Sequence, residues 1–369
     1  MLQQEIEASQ RKVRTDAYQM SIGEIVSMYK EGDLIIDPEF QRLFRWEPGQ
    51  KSKLIESLLL GIPLPPIFVF EKEDAKWELI DGLQRMSTIL EFMGLLKDPD
   101  NGTRPPSYLE ATKYLPSLNN VVWEKTDRIP DLDIDDQNEL DKALQLTIRR
   151  ARIGVEILKR PSDNHTKYDL FQRLNSSGTP ANPQELRNCV IIMVNAPYFA
   201  RVKKMAESAS FLEVINATEE QKERQRHLEY ASRFLTHTFV PYDGNLDVEE
   251  FIDDSMQSLA EQNAPERQAR IFKWTFDLLQ KIAGGDALRR LENNRPTGRI
   301  GLAAFECIAI GVGRNYTAIR ALPNSDIFVR KKIEQFWESP DIDRFFAAGL
   351  RGTVRIQRTI PFGERWFKP

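Results

Sequence analysis

Trp77-Glu78-Leu79-Ile80-Asp81-Gly82-Leu83-Gln84-Arg85-Met86-Ser87-Thr88-Ile89 reads as a strand, a tight turn and the start of a helix. Trp77, Leu79 and Ile80 favour a strand. Asp81-Gly82 is a turn signal, and Gly82 admits a backbone conformation or a close ligand approach that a Cβ would block. From Gln84 on, Leu83, Met86, Ile89, Leu90 and Met93 recur at helical spacing. A strand ending in glycine before a helix is a place to hold an anion. The helix N-terminus offers unpaired amides and a positive dipole end. Arg85 adds a forked charged donor, and Ser87 and Thr88 add hydroxyls. An ordinary strand-to-helix connection with a solvated arginine fits the local pattern equally well.

Outward from this turn, Ile67-Phe68-Val69-Phe70 is an apolar strand that pairs with Lys76–Ile80. Ser21–Lys30 reads as a helix with a capping box from Ser21 and Glu24. Leu34–Ile36 is a short strand. Pro48–Leu60 is a helix, with Gly61 just past its end. Residues 97–137, rich in Pro, Asp and Asn, read as an insertion over the surface, placed to act as a lid. The partial alternation of Leu146–Leu158 favours strands. Thr166–Leu174 and Pro183–Asn195 read as helices. From Tyr198 onward helical patterns dominate, over Tyr198–Ser208, Glu219–Phe239, Asp247–Gln262, Pro265–Ala283, Arg299–Arg314 and Ser325–Ser339. The domain reading is an N-terminal segment 1–17, an α/β domain 18–197 and a helical domain 198–369.

At 369 residues and 41% apolar content the chain can bury more than one core. A net charge of −4 argues against nucleic-acid binding over the whole surface but leaves room for a local basic groove. No stretch is apolar and long enough to span a bilayer. Met1–Arg14 is polar and mixed in charge, unlike a signal peptide, so the cytoplasm is the expected compartment. The two cysteines, Cys189 and Cys307, lie far apart and read as buried thiols.

Two further polar clusters accompany the turn. Arg42 and Arg45, in Asp37–Trp46, can converge on a phosphate; a surface loop pinned by Phe44 and Trp46 is the simpler reading of that segment alone. Asn175-Ser176-Ser177-Gly178 follows a helix, and Asn182, Pro183 and Glu185 open the next one. Each residue there also has a use as punctuation. The coincidence of three polar turns around one small sheet is what favours a ligand site.

Together and in this order, Phe40-Gln41-Arg42…Trp46, Asp81-Gly82-Leu83-Gln84-Arg85 and Asn175-Ser176-Ser177-Gly178 resemble the N-terminal domain of the GmrSD type of restriction endonuclease. The resemblance covers roughly residues 18 to 195. It extends more weakly to Arg299–Glu306 and the tail near Arg351–Phe367. It implies an α+β chain, in which a small ParB/sulfiredoxin-like α/β domain precedes a mainly α-helical domain. It also implies nucleoside triphosphate binding, often with hydrolysis, in a sensor or regulatory subunit of a prokaryotic defence system. The nucleotide contacts it implies are Arg42, Arg45, Gly82, Gln84, Arg85, Ser87, Thr88, Asn175, Ser177 and Gly178. Asp81 and Arg85 would carry any catalysis, and Mg2+ would be the accompanying metal, with no ligand set assigned. In ParB-like proteins an Asn precedes a helix-starting proline by eight residues, as Asn175 precedes Pro183. The family turn usually carries Gln where Leu83 stands, and an acidic residue where Leu174 stands. The resemblance therefore supports binding more than metal-assisted hydrolysis.

Many relatives carry a His-Asn-His nuclease, which needs two histidines close together. The three histidines here are His165, His227 and His237, the last two on one expected helix, and they read as core or surface residues. A nuclease is therefore expected on a partner protein. No Walker phosphate loop and no Gly-x-Ser-x-Gly elbow occur. In the C-terminal tail, Arg351, Arg355 and Arg358 read as a strand or arm offered to nucleic-acid phosphates, with a solvated edge as the alternative. The acidic run Asp247–Asp254 reads as a solvated helix start. The competing readings are a DNA- or modification-sensing module without catalysis and an interaction scaffold for a nuclease; an oligomer is compatible with each.

Overall fold

The computed structural model describes residues 14–36, 46–98, 102–159, 183–262, 264–292, 295–340, 342–345 and 349–369. The chain divides into two compact units, 1–181 and 182–369.

The first unit is built on a five-stranded mixed sheet. In chain order its elements are β1 (Arg14–Ser21), α1 (Ile22–Glu31), β2 (Leu34–Ile35), α2 (Pro48–Leu60), β3 (Ile67–Glu71), β4 (Trp77–Asp81), α3 (Leu83–Phe92), the short strands β5 (Lys97–Asp98), β6 (Gly102–Thr103), β7 (Val121–Val122) and β8 (Asn138–Glu139), then α4 (Lys142–Arg150) and β9 (Arg152–Lys159). The main sheet has the order β1-β9-β3-β4-β2. β9 runs antiparallel to β1 and parallel to β3, β3 is antiparallel to β4, and β4 is parallel to β2. Ile67, Val69, Leu79, Ile153, Val155 and Ile157 join the apolar stripes of α1, α2 and α3 in one core. That apolar burial is the main stabilising term. The expected pairing of 67–70 with 76–80 is present, as is the capping box, in which the Glu24 amide donates to Ser21 Oγ at 3.2 Å and the Ser21 amide to Glu24 Oε2 at 2.7 Å.

β1 escaped the sequence reading, which left 1–17 as a segment outside the domain. It is an edge strand with Thr15, Ala17, Tyr18 and Gln19 exposed, so no buried face imprints alternation on it. A second correction concerns Leu146–Leu158. Residues 142–150 form α4, with Gln145 and Ile148 buried and Leu144 and Leu146 exposed; only 152–159 is strand. The partial alternation ran across a helix end into β9. The 97–137 insertion is fastened down rather than laid over the surface as a lid. Leu109, Leu118, Val121 and Trp123 enter the core. Ser52 Oγ accepts the Glu110 amide at 2.8 Å, and Glu56 accepts the amides of Tyr114 and Leu115 at 3.2 Å each. Side chains of α2 thus satisfy backbone donors that no ladder reaches.

The second unit is helical. Its first helix, Pro183–Ala206, contains one non-helical residue, Asn195. Asn195 Oδ1 accepts the Tyr198 amide at 3.0 Å, so it caps a fresh helix with Pro197 in the first turn. The sequence placed the domain boundary at 197. The units divide instead at Ala181/Asn182, because the 183–206 segment packs on the helices Arg226–Phe239 and Val248–Gln262. The expected helix over 219–239 is two helices, broken at Gln225, which has φ 57°. Helices Pro265–Ala283 and Ser325–Glu338 lie where expected. The segment 302–314 carries a π-helical stretch at Phe305–Ile310. The tail is a helix, Gly352–Trp366, and not the expected strand or arm. It lies so close to the π stretch that a Cβ at Gly363 would overlap the Cys307 carbonyl.

Candidate functional site: the Asp81–Arg85 turn

The turn sits where β4 ends. A β-bulge between the Phe68 and Val69 pairings lets Leu79 and Ile80 both be buried and turns Asp81 toward the helix start. Gly82 follows with φ 98° and is the N-cap residue of α3, with no side chain to cap the first turn. The first-turn amides of α3 have no acceptor inside the helix, so the strand end meets a positive dipole end. Glycine is required here for a packing reason as well as a conformational one. A Cβ at Gly82 would lie 2.5 Å from Ile67 Cγ2.

Arg85 is the tie that holds this turn. Its Nη2 donates to Asp81 Oδ2 at 3.0 Å, and its Nη1 donates to the carbonyls of Pro65 and, at 3.2 Å, Pro66. The guanidinium therefore joins the end of β4 to the loop before β3. Burial pushes the Arg85 pKa down, and the neighbouring Asp81 carboxylate works against that shift. Asp81 and Arg85, expected as a catalytic pair, are thus brought together as an ion pair whose charges cancel locally. Lys51 Nζ bonds Glu91 Oε2 at 2.6 Å and links α2 to the last turn of α3.

Ser87 and Thr88 are fully buried on the core side of α3, not presented at its N-terminal rim. Thr88 Oγ1 donates to the Gln84 carbonyl at 2.7 Å, and Ser87 Oγ has no partner among the described residues. The nucleotide contacts expected of them are not favoured by this placement. Gly82 is buried and Gln84 half-buried at the start of α3. Arg42, Arg45, Asn175, Ser177 and Gly178 lie outside the described residues. Topology nonetheless bears on them. β2 is parallel to β4, so the chain toward Arg42 leaves the sheet at the same edge as Asp81. β9 is antiparallel to β4 through β3, so Lys159, from which the chain runs on toward Asn175, lies at the opposite edge.

The sequence reading missed a second arginine-centred cluster, in the helical unit. Arg187 is 1% exposed; its Nη2 bonds Glu249 Oε2 at 2.8 Å and its Nε bonds Asp253 Oδ1 at 2.6 Å. Arg233 bonds Glu249 Oε1 at 2.6 Å and Glu229 Oε1 at 3.0 Å. Burial would raise the Glu249 carboxyl, but the two arginines outweigh it and hold the group below the ordinary range. For Asp253 burial prevails over Arg187, and its pKa is raised. The acidic run that read as a solvated helix start therefore supplies partners to buried arginines. The signal was Glu249 and Asp253 four residues apart on one helix face.

His227 and His237 do share one helix, and both are buried. Burial first, then the charges of Arg233, Arg314 and Arg355, push the His237 pKa down to about 3. It stacks on Phe251 with ring centroids 5.6 Å apart. Among the described residues no three His, Cys, Asp or Glu side chains gather as a metal site, and no helix is long and apolar enough to cross a membrane. Of the tail arginines, Arg355 is bound through Nε and Nη2 to the buried Glu306 carboxylate at 3.0–3.1 Å, while Arg351 and Arg358 are exposed.

Residues 22–192 match the family model described as the N-terminal domain of the GmrSD restriction endonuclease. The matched segment runs from α1 through the Asp81–Arg85 turn to the first half of the 183–206 helix, and so includes Arg187. No curated protein matches the chain.

Proposed function

Residues 22–192 belong to the GmrSD restriction endonuclease N-terminal domain family, and from that premise we propose that the Asp81–Arg85 turn is the phosphate end of a nucleoside triphosphate site. The observation that carries the reading is the left-handed Gly82 at the end of β4, which opens the first turn of α3 without a side-chain cap. The turn contributes amides and the Gln84 side chain to a phosphate. Arg85, already committed to Asp81 and two carbonyls, positions that turn. Arg42 and Arg45, which the sequence offers as a second arginine pair, would supply the positive charge that the neutral Asp81–Arg85 pair does not. Mg2+ would accompany the triphosphate. Hydrolysis is the finer claim and rests on Asp81. Joined to the restriction-related role of the family, this reading makes the chain a nucleotide sensor whose nuclease is carried by a partner protein.

Titration of the full chain with ATP, GTP, CTP and UTP, each with Mg2+, tests the first step. Gln84→Glu is the informative variant. A carboxylate in the first turn favours the helix dipole, so the fold is kept, while it repels a phosphate. The expected result is binding of at least one nucleotide by the wild type and a loss of tenfold or more in Gln84→Glu, about 1.4 kcal/mol. A wild type that binds none of the four, or a variant that binds equally well, would overturn the reading.

A further inference from the structure

β1 lies at one end of the main sheet, and among the described residues only β9 pairs with it. The two strands keep one unbroken register from Arg14↔Lys159 to Ser21↔Arg152. One pair beyond it, the Ile22 amide donates to the Ala151 carbonyl at 2.9 Å. Antiparallel pairs alternate between bonded and non-bonded. The even residues of β1 therefore bond β9, and the amides and carbonyls of Thr15, Ala17, Gln19 and Ser21 point away from it. Local carboxylates hold two of those amides: Ala17 donates to Asp16 Oδ1 at 3.0 Å and Ser21 to Glu24 Oε2 at 2.7 Å.

The other edge strand of the sheet, β2, is two residues long. Short length, proline, lysine and bulges are the usual guards against strand addition. Residues 15–21 of β1 carry none of them. Their one charged side chain, Asp16, is neutralised by Lys159 Nζ at 2.7 Å. Residues directly opposite each other share a face of the sheet. Tyr18 and Met20, opposite the buried Val155 and Ile153, thus stand on the side that carries the core. Met20 packs partly against that core, whereas Tyr18 is 48% exposed. The apolar face reaches the edge of the sheet and ends there in an exposed aromatic ring.

We propose that β1 pairs with β1 of a second copy of this chain, antiparallel about a two-fold axis at Tyr18, joining two five-stranded sheets into one. The strand itself selects this occupant. Bonds between outward groups require odd residues to face odd residues, and an axis at Tyr18 meets that condition while overlapping Thr15–Ser21 in full. Ala17 then faces Gln19 of the second copy, and the ladder bonds between them replace the Asp16 contact. Asp16 faces Met20 of the second copy, so no like charges meet. Tyr18 faces its own equivalent in a non-hydrogen-bonded pair, where the Cα atoms lie about 4.5 Å apart and aromatic pairs stabilise. The same patch serves both copies, as a two-fold requires. A single strand pair is a small interface, so the dimer is a weak one. The pairing uses no residue of the Asp81–Arg85 turn.

Sedimentation of the full chain over about 1–100 µM, the range of weak association, tests the dimer, and cysteine cross-linking tests its register. Both native cysteines are buried. The wild type should form a dimer that dissociates on dilution. Tyr18→Cys should give a disulfide-linked dimer under mild oxidation, because the expected separation lies in the disulfide range of about 4.4–6.8 Å. Gln19→Cys, one residue along, faces Ala17 and should stay unlinked. Ala17→Pro removes an outward amide and leaves the ladder to β9 intact, so it should melt like the wild type yet weaken the dimer about tenfold or more. A wild type that stays monomeric at about 100 µM would overturn the proposal. So would a dimer that Ala17→Pro leaves unchanged, or one that Gln19→Cys links as readily as Tyr18→Cys.

Discussion

Arg85 and Arg187 both lie in the matched segment, and both are tied to carboxylates, but their surroundings differ in kind. Arg85 is 13% exposed at the side chain and bonds locally, to Asp81 four residues back and to the loop before β3. Arg187 is 1% exposed and bonds to Glu249 and Asp253, more than sixty residues away in sequence. One arginine shapes a turn at the open end of a strand. The other joins the first helix of the second unit to a later one and leaves nothing at a surface. An arginine in a family motif is therefore no guide to a ligand until its partners are known. The neighbouring uncapped helix start, and not the guanidinium, is what distinguishes the Asp81–Arg85 turn.

The largest effect should come from breaking the buried side of this comparison. Arg187→Ala removes the arginine that Glu249 and Asp253 share and should cost about 3–5 kcal/mol, at the lower end because Glu249 is partly exposed and keeps Arg233. Urea denaturation reads it, and a loss below 1 kcal/mol would place Arg187 outside the architecture. Acid should weaken the same unit through His237. The folded pKa of about 3 lies below the ordinary 6.5, so the folded state resists the proton that the unfolded chain accepts. Stability is full above pH 6.5 and falls as pH drops toward 3, by about 1.4 kcal/mol per unit, or about 2 kcal/mol at pH 5. His237→Leu should remove that component, and the difference between the two pH profiles measures it.

On the open side, Gly82→Ala should cost about 1–3 kcal/mol, from the positive φ and the approach to Ile67. It should also reduce nucleotide binding more than stability, which denaturation and titration of the same variant separate. The smallest effect is expected outside both clusters. Asn195→Ala removes the cap of the second half of the 183–206 helix and should lower stability by about 1 kcal/mol, with nucleotide binding unchanged.

Much of the first unit was legible in the sequence because its elements carry their own signals. Ser21 with Glu24, Pro48 with Gly61, and the apolar strand 67–70 are local statements, and the structure has them where local chemistry puts them. What stayed hidden depends on tertiary context. β1 is an exposed edge strand, so no face of it is marked by burial. α4 and β9 share one apolar pattern across a helix-to-strand change. The unit boundary fell earlier than read because Arg187 and its neighbours find their partners in helices far along the chain. In the site itself, Gly82 was legible as a turn glycine, but its contact with Ile67 was not. Ser87 and Thr88 look like first-turn donors in sequence, and only packing shows that they face the core.

Amide hydrogen exchange on the full chain, with and without each nucleoside triphosphate and Mg2+, tests the nucleotide site most directly. Protection confined to a peptide spanning 81–88, with the 226–239 helix unchanged, is the predicted result. Unchanged exchange over 81–88 with all four nucleotides, at concentrations up to 5 mM, would contradict it.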